Sequence, residues 1–203
     1  MIALPRLYAV ADKTFGDPVE LAKALFDGGA QVVQIRDKTA SVQALLNAVE
    51  AAMKAAPPGV RIIVNDRPDV ARLADAAGVH LGKQDLDPSL ARITLSAGQI
   101  LGRSTHDLSQ AVEADKAAVD YVAIGPVFAT ATKANPEPVV GLDRLREICY
   151  NVNKPVVAIG GITLETARAV LACGAQSVAV IGDLLRHGNV AARTRVWIDH
   201  LES

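Results

Sequence analysis

Eight apolar, β-branched runs recur roughly every 20–30 residues, and each is followed by an Ala/Leu-rich segment with helical spacing. The runs cover residues 6–12, 31–37, 61–66, 78–82, 99–104, 121–127, 155–160 and 177–182. Between them, Leu21, Leu25 and Phe26 mark one helical face, and Leu45, Val49 and Met53 recur at i, i+4 and i+8. Pro18 and Pro68 suit the first turns of helices, after Asp17 and Arg67. Asp107, Thr163 and Asp183 suit N-caps, and Gly28-Gly29 and Gly174 suit helix exits. Strands alternating with helices leave two architectures, a closed (β/α)8 TIM barrel or an open doubly wound sheet. Eight units select the barrel, and 203 residues leave room for few insertions. Residues 1–203 therefore read as one barrel domain, without a linker or low-complexity segment.

Composition removes several function classes. Aromatic residues are only 3% of the chain, too few for base-stacking platforms. The formal net charge is −1 with no basic block, which argues against nucleic acid or a membrane surface as partner. The start, Met1 to Arg6, lacks the pattern of a secretory signal, so a cytoplasmic protein is the expectation. Cys149 and Cys173 are far apart and lack metal-ligand spacing, which suits buried thiols. Oligomeric state stays open, with a homo-oligomer among the options.

In a parallel sheet the C-terminal ends of the strands face the ligand, and polar clusters stand at those ends. The second run closes with Gln34-Ile35-Arg36-Asp37-Lys38. Gln34, Arg36 and Lys38 share one side of an extended chain, while Ile35 and Asp37 point the other way. Arg offers phosphate a planar fork and Lys a mobile charge. The competing reading is a solvated strand end with an Arg–Asp pair. Asn65-Asp66 closes the third run, and Asp85 follows the fourth. On neighbouring strands these two carboxylates suit one divalent cation, since Mg²⁺ often takes one or two carboxylates plus water and phosphate oxygens. Each also reads as a local cap or turn acid. His80 reads as a packed strand residue.

Ser104 and His106 close the fifth run, and no oxyanion-loop pattern accompanies them. A hydroxyl donating to phosphate, with His106 capping the next helix, is the better reading. Thr130-Ala131-Thr132-Lys133 opens a long irregular stretch, 129–140, suited to closing over an anion. Gly160-Gly161 and Ile181-Gly182 end the last two runs, where backbone N–H groups commonly meet a phosphate in barrels.

The clusters, in this order from Tyr8 to about Asp183, resemble the thiamine phosphate synthase family. That resemblance implies a TIM barrel joining a hydroxymethylpyrimidine pyrophosphate to a hydroxyethylthiazole phosphate with Mg²⁺. It implies that Arg36, Lys38, Asn65, Ser104 and Lys133 hold the pyrimidine pyrophosphate, with Gln34, Ile35 and Asp37 beside them. Arg36, Lys38, Ser104 and Lys133 would carry the catalysis. Asp66 and Asp85 would bind Mg²⁺. Thr130, Ala131 and Thr132 would contact the thiazole phosphate, with Gly161, Ile181 and Gly182 presenting backbone to it. Two positions depart from the family's pattern: Gly182, where Ser is common, and Lys83-Gln84 before Asp85. Three rivals compete: a thiazole tautomerase-like paralogue, another phosphate-binding barrel such as an isomerase of sugar or indole phosphates, and a non-catalytic regulator that binds thiazole phosphate. A base for proton transfer, required by the first, is not assignable, and Asp66, Asp85 and Lys133 argue for the synthase.

Overall fold

Eight parallel strands pair in sequence order, and the last returns to the first to close a barrel. The computed structural model describes residues 2–130 and 137–202. The strands are β1 (Leu7–Asp12), β2 (Val32–Arg36), β3 (Arg61–Asn65), β4 (Gly78–Leu81), β5 (Ile100–Thr105), β6 (Tyr121–Ile124), β7 (Val156–Ile159) and β8 (Ser177–Val180). Around them lie α1 (Pro18–Asp27), α2 (Val42–Ala55), α3 (Pro68–Leu73), α4 (Pro88–Thr94), α5 (Leu108–Lys116), α6 (Gly141–Asn151), α7 (Leu164–Ala172), α8 (Gly182–Leu185) and α9 (Val190–Glu202). The eight runs read from the sequence are these strands. The sixth is shorter than expected, because Gly125-Pro126 ends the ladder after Ile124.

Strand alternation sorts side chains into two layers. Tyr8, Val10, Ile63, Tyr121, Val157 and Ala179 fill the barrel interior. Ala9, Val33, Ile35, Val64, Leu81 and Leu101 point outward beneath the helices, in the larger core layer. Both faces of each strand are thus buried, which is why the strands read as nearly continuous apolar runs.

The helix starts follow the chemistry expected of them, with one exception. The Asp17 carboxylate accepts from Val19 N (2.9 Å) and Glu20 N (3.1 Å), and Pro18 follows in the first turn. The Asp107 carboxylate accepts from Gln110 N (2.8 Å), and Thr163 and Thr166 cap α7 reciprocally. Asp183 is not an N-cap. It lies inside the four-residue α8, and its carboxylate accepts from Arg193 Nη2 (2.9 and 2.7 Å) and Trp197 Nε1 (2.8 Å). Those bonds fasten α9 to the top of the barrel, because Trp197 is fully buried and its indole N–H needs an acceptor. No helix among the described residues is long and apolar enough to cross a membrane.

Candidate active site

The strand ends open into a cavity of about 480 Å³, within the usual size of a small-molecule site. Its floor is a hydrogen-bonded chain of inward side chains. The Gln34 amide donates to the Tyr8 hydroxyl (3.0 Å), and the Tyr8 and Tyr121 hydroxyls are bonded to each other (3.0 Å). Tyr121 meets His80 Nδ1 (2.9 Å), and His80 Nε2 meets Ser104 Oγ (2.8 Å). The His80 ring also stacks on Tyr121, with centroids 5.6 Å apart and planes 19° apart. Burial pushes the Tyr8 phenol up to about 12 and raises Tyr121 well above its ordinary value, so both hydroxyls stay neutral. With each tyrosine supplying a single proton and Gln34 donating at one end, the bonds run consistently from Gln34 toward Ser104. The Ser104 O–H is then left to donate into the cavity.

Backbone spacing makes room for this floor. Gly102 on β5 pairs in register with Tyr121 on β6. A Cβ on Gly102 would lie 2.0 Å from Tyr121 Cζ, so the ring occupies the place of a side chain.

The second layer of the site is charged. Arg36 lines the cavity and pairs with the Asp12 carboxylate, which is 1% exposed and also accepts from Thr14 N (2.9 Å). The Arg–Asp pair considered for Arg36 thus exists, but it is buried and runs across strands to β1 rather than to Asp37. At the rim, Lys38 Nζ stands 3.0 Å from Asp66 Oδ2. Asp66 adopts φ 63°, a left-handed conformation that Asp tolerates, and its N–H donates to His80 O (2.8 Å). This turn brings its carboxylate to Asp85, whose Oδ2 accepts from Gly82 N (2.6 Å). Burial and then the hydrogen-bonded Asp66 push the Asp85 carboxyl up to about 6. Burial opposes ionisation of Asp66 as well, but hydrogen bonding from Asp85 and Lys38 leaves its carboxyl lower than usual. Below about pH 6 the pair therefore shares one proton, and above it both carboxylates are free to meet a divalent cation. Among the described residues no group of three or more His, Cys, Asp or Glu side chains stands ready for a metal. Two carboxylates fit an ion whose remaining ligands are water and phosphate.

Other expected residues divide by position. Gln34, Asn65, Ser104, Thr130, Gly161, Ile181 and Gly182 line the cavity. Ile35 does not: its side chain is fully buried in the outer layer, as its phase on β2 requires. Asp37 is also outside, where its carboxylate accepts from Thr39 N (2.9 Å), Thr39 Oγ1 (2.7 Å) and Ala40 N (3.0 Å) and shapes the loop before α2. Ser104 is bonded to His80, whereas His106 Nδ1 turns to Gly125 O (2.5 Å); Asp107, not His106, caps α5. Lys83 is exposed, and its carbonyl accepts from Arg103 (3.0 Å). Ala131, Thr132 and Lys133 lie outside the described residues. Sequence reasoning missed Tyr8, Asp12 and Tyr121. Their signal was polarity at inward-facing strand positions, legible once the strand phase is known.

A closed (β/α)8 barrel whose cavity is lined by a guanidinium and glycine turns, with a carboxylate pair on the adjoining strand-end loops, defines an enzyme built for a phosphorylated small molecule. Comparison with known proteins gives the family. Residues 7–184 match the model of the family described as thiamine monophosphate synthase. The thiamine-phosphate synthase of Koribacter versatilis is 48% identical over 91% of this chain and 90% of its own. That of Shouchella clausii is 38% identical over 97% of this chain and 96% of its own. The solved thiamine phosphate pyrophosphorylase of Pyrococcus furiosus superposes with a TM-score of 0.88 at 34% identity, covering 97% of this chain and 95% of that one. The chain belongs to the thiamine monophosphate synthase family.

Proposed function

We propose that this chain joins 4-amino-5-hydroxymethyl-2-methylpyrimidine pyrophosphate to 4-methyl-5-(2-phosphoethyl)thiazole, releasing pyrophosphate and forming thiamine phosphate. The observation that carries this reading is the placement of charge around one cavity. Arg36, Lys38 and the Asp66–Asp85 pair stand on the β2–β4 side, and the Gly160-Gly161 and Ile181-Gly182 turns stand across the mouth on β7 and β8. One side suits a pyrophosphate with its cation, the other a single phosphate.

In this mechanism the bond between the pyrimidine's exocyclic methylene and the pyrophosphate oxygen breaks first, and the electron pair leaves with pyrophosphate. The aminopyrimidine ring delocalises the resulting positive charge. The thiazole nitrogen then donates its free lone pair to the methylene, so no general base is needed. Mg²⁺ held by Asp66 and Asp85 would neutralise charge on the departing group. Arg36 and Lys38, with Lys133 as the family resemblance implies, add fixed positive charge there. The Gln34–Tyr8–Tyr121–His80–Ser104 floor offers an oriented hydroxyl to a flat, nitrogen-bearing ring. Enclosure keeps water from trapping the cation before the thiazole does.

The test is product formation. The protein is mixed with both phosphorylated substrates, with and without Mg²⁺, and thiamine phosphate is detected as fluorescent thiochrome after oxidation. Mg²⁺-dependent product is expected. A folded protein that binds the thiazole phosphate yet yields no product would replace this reading with the tautomerase-like or regulatory one.

A further inference from the structure

We propose that Arg186 is a substrate-binding residue that clamps the phosphate of the thiazole substrate from the β8 side, beside Gly182. The inference rests on the reaction assigned above and names a residue that the resemblance does not supply.

Arg36 and Arg186 are the two arginines that line the cavity. They are in opposite electrostatic states. The Arg36 charge is met by the buried Asp12 carboxylate. Among the described residues, no ion pair or hydrogen bond engages the Arg186 guanidinium. The nearest acid in sequence, Asp183, is occupied by Arg193 and Trp197. What holds Arg186 is an aromatic face, since its Cζ lies 5.9 Å from the centroid of Phe15, in the loop after β1. Arg186 is exposed, so solvent rather than a protein anion meets its charge. A guanidinium on a cavity wall with no protein anion bound to it is a seat for an anion.

Its position selects which anion. A Cβ placed on Gly182 would lie 3.4 Å from Arg186 Nε and 3.5 Å from Cζ. The guanidinium thus lies over the Gly182 position, within van der Waals reach of where a Cβ would stand. Gly182 and Gly161 belong to the single-phosphate side of the cavity, away from Asp66 and Asp85 in the loops after β3 and β4.

The experiment is steady-state kinetics of the wild type, Arg186→Ala and Arg186→Lys, varying each substrate with the other saturating. Calorimetric titration of 4-methyl-5-(2-phosphoethyl)thiazole, and of the same thiazole lacking phosphate, accompanies it. Loss of one charge-assisted contact to phosphate should raise KM for thiazole phosphate roughly 10- to 100-fold. The KM for the pyrimidine pyrophosphate and kcat should stay within about twofold. Arg186→Lys should recover part of the loss, and binding of the thiazole without phosphate should not respond to either change. An unchanged KM for thiazole phosphate overturns the proposal. An equal rise in both KM values, or equal loss for the phosphorylated and unphosphorylated thiazole, overturns it too, since the effect would then be general distortion. If the wild type forms no product, the assigned reaction fails, and the titrations alone still decide whether Arg186 holds the phosphate.

Discussion

Asp12 and Arg36 occupy neighbouring positions on β1 and β2, and the Asp12 carboxylate, almost fully buried, accepts from the Arg36 guanidinium. Asp12 also receives Thr14 N and Thr14 Oγ1, so one carboxylate both orients the arginine and starts the turn after β1. Asp12→Ala would leave Arg36 as an uncompensated, largely buried charge. A loss of about 3 kcal/mol in unfolding free energy is expected, read by urea titration. The KM for the pyrimidine pyrophosphate should rise as well, because the guanidinium loses its orientation. Asp12→Asn, which keeps an acceptor oxygen, should lose less stability. Equal losses in the two variants would show that the charge of Asp12, which both remove, carries the whole effect and that the retained acceptor oxygen contributes nothing.

The Asp66–Asp85 pair predicts a linked dependence on pH and metal. The Asp85 pKa of about 6 is above its ordinary 3.8, so the folded protein binds more protons than the unfolded chain between those values. Metal-free stability from this group must therefore fall as pH rises from about 4 to about 6. A divalent cation needs the ionised carboxylate and competes with that proton. Mg²⁺ should raise the melting temperature more at pH 7.5 than at pH 5, and kcat/KM should rise through about pH 6. In Asp85→Asn the Mg²⁺-induced thermal shift should vanish while thiazole phosphate still binds. A shift of the same size in that variant would remove Asp85 from the metal site.

Gly102 predicts a purely steric lesion. Its neighbour Tyr121 sits where a Cβ would go, with Cζ at 2.0 Å, and neither the ring nor the strand pairing has slack. Gly102→Ala should displace Tyr121 from Tyr8 and His80 and cost about 1–3 kcal/mol. Because the Tyr121–His80 bond orients Ser104, turnover should fall together with stability. Gly102→Ala combined with Tyr121→Phe tests the cause. Phe keeps the ring carbon that lies 2.0 Å from the added carbon and loses only the hydroxyl oxygen at 2.4 Å, so the double variant should recover little stability and no turnover; full recovery of stability would place the lesion in the hydroxyl rather than the ring.

The barrel was legible because parallel strands buried on both faces leave long apolar runs, and because polar residues cluster where those runs stop. The cavity was legible for the same reason at Gln34, Asn65, Ser104 and Gly161. What local sequence does not display is the partner a charge finds across the fold. Arg36 stands beside Asp37 in the chain but pairs with Asp12, 24 residues earlier. Asp183 reads locally as a cap before Leu184, yet its acceptors are spent on Arg193 and Trp197 of α9. His80 reads as a packing residue, and it does stack on Tyr121. Its two ring nitrogens nevertheless bridge hydroxyls on β5 and β6, a pairing fixed only by barrel register. Phase also separates Ile35 from Gln34 and Arg36, although all three share one motif.

Gly161 carries the last prediction. Its φ is +64°, and a Cβ would lie 2.4 Å from Ala129 O and 2.8 Å from Phe128 Cβ. Two separate costs therefore meet at one substitution, a left-handed backbone that side chains disfavour and a clash with the loop after β6. The loop is held against this turn by Val127 N to Ile159 O (2.9 Å) and Phe128 N to Gly160 O (2.9 Å). Gly161→Ala should push the two segments apart, moving Thr130 and the Gly161 N–H away from each other across the phosphate side of the cavity. The KM for thiazole phosphate should rise at least about 10-fold, the loss typical of one hydrogen bond to a charged group, with little change in the KM for the pyrimidine pyrophosphate. Unfolding free energy should fall by about 1–3 kcal/mol. A variant that lost stability but kept its KM for thiazole phosphate would mean that Gly161 serves only the packing of the loop.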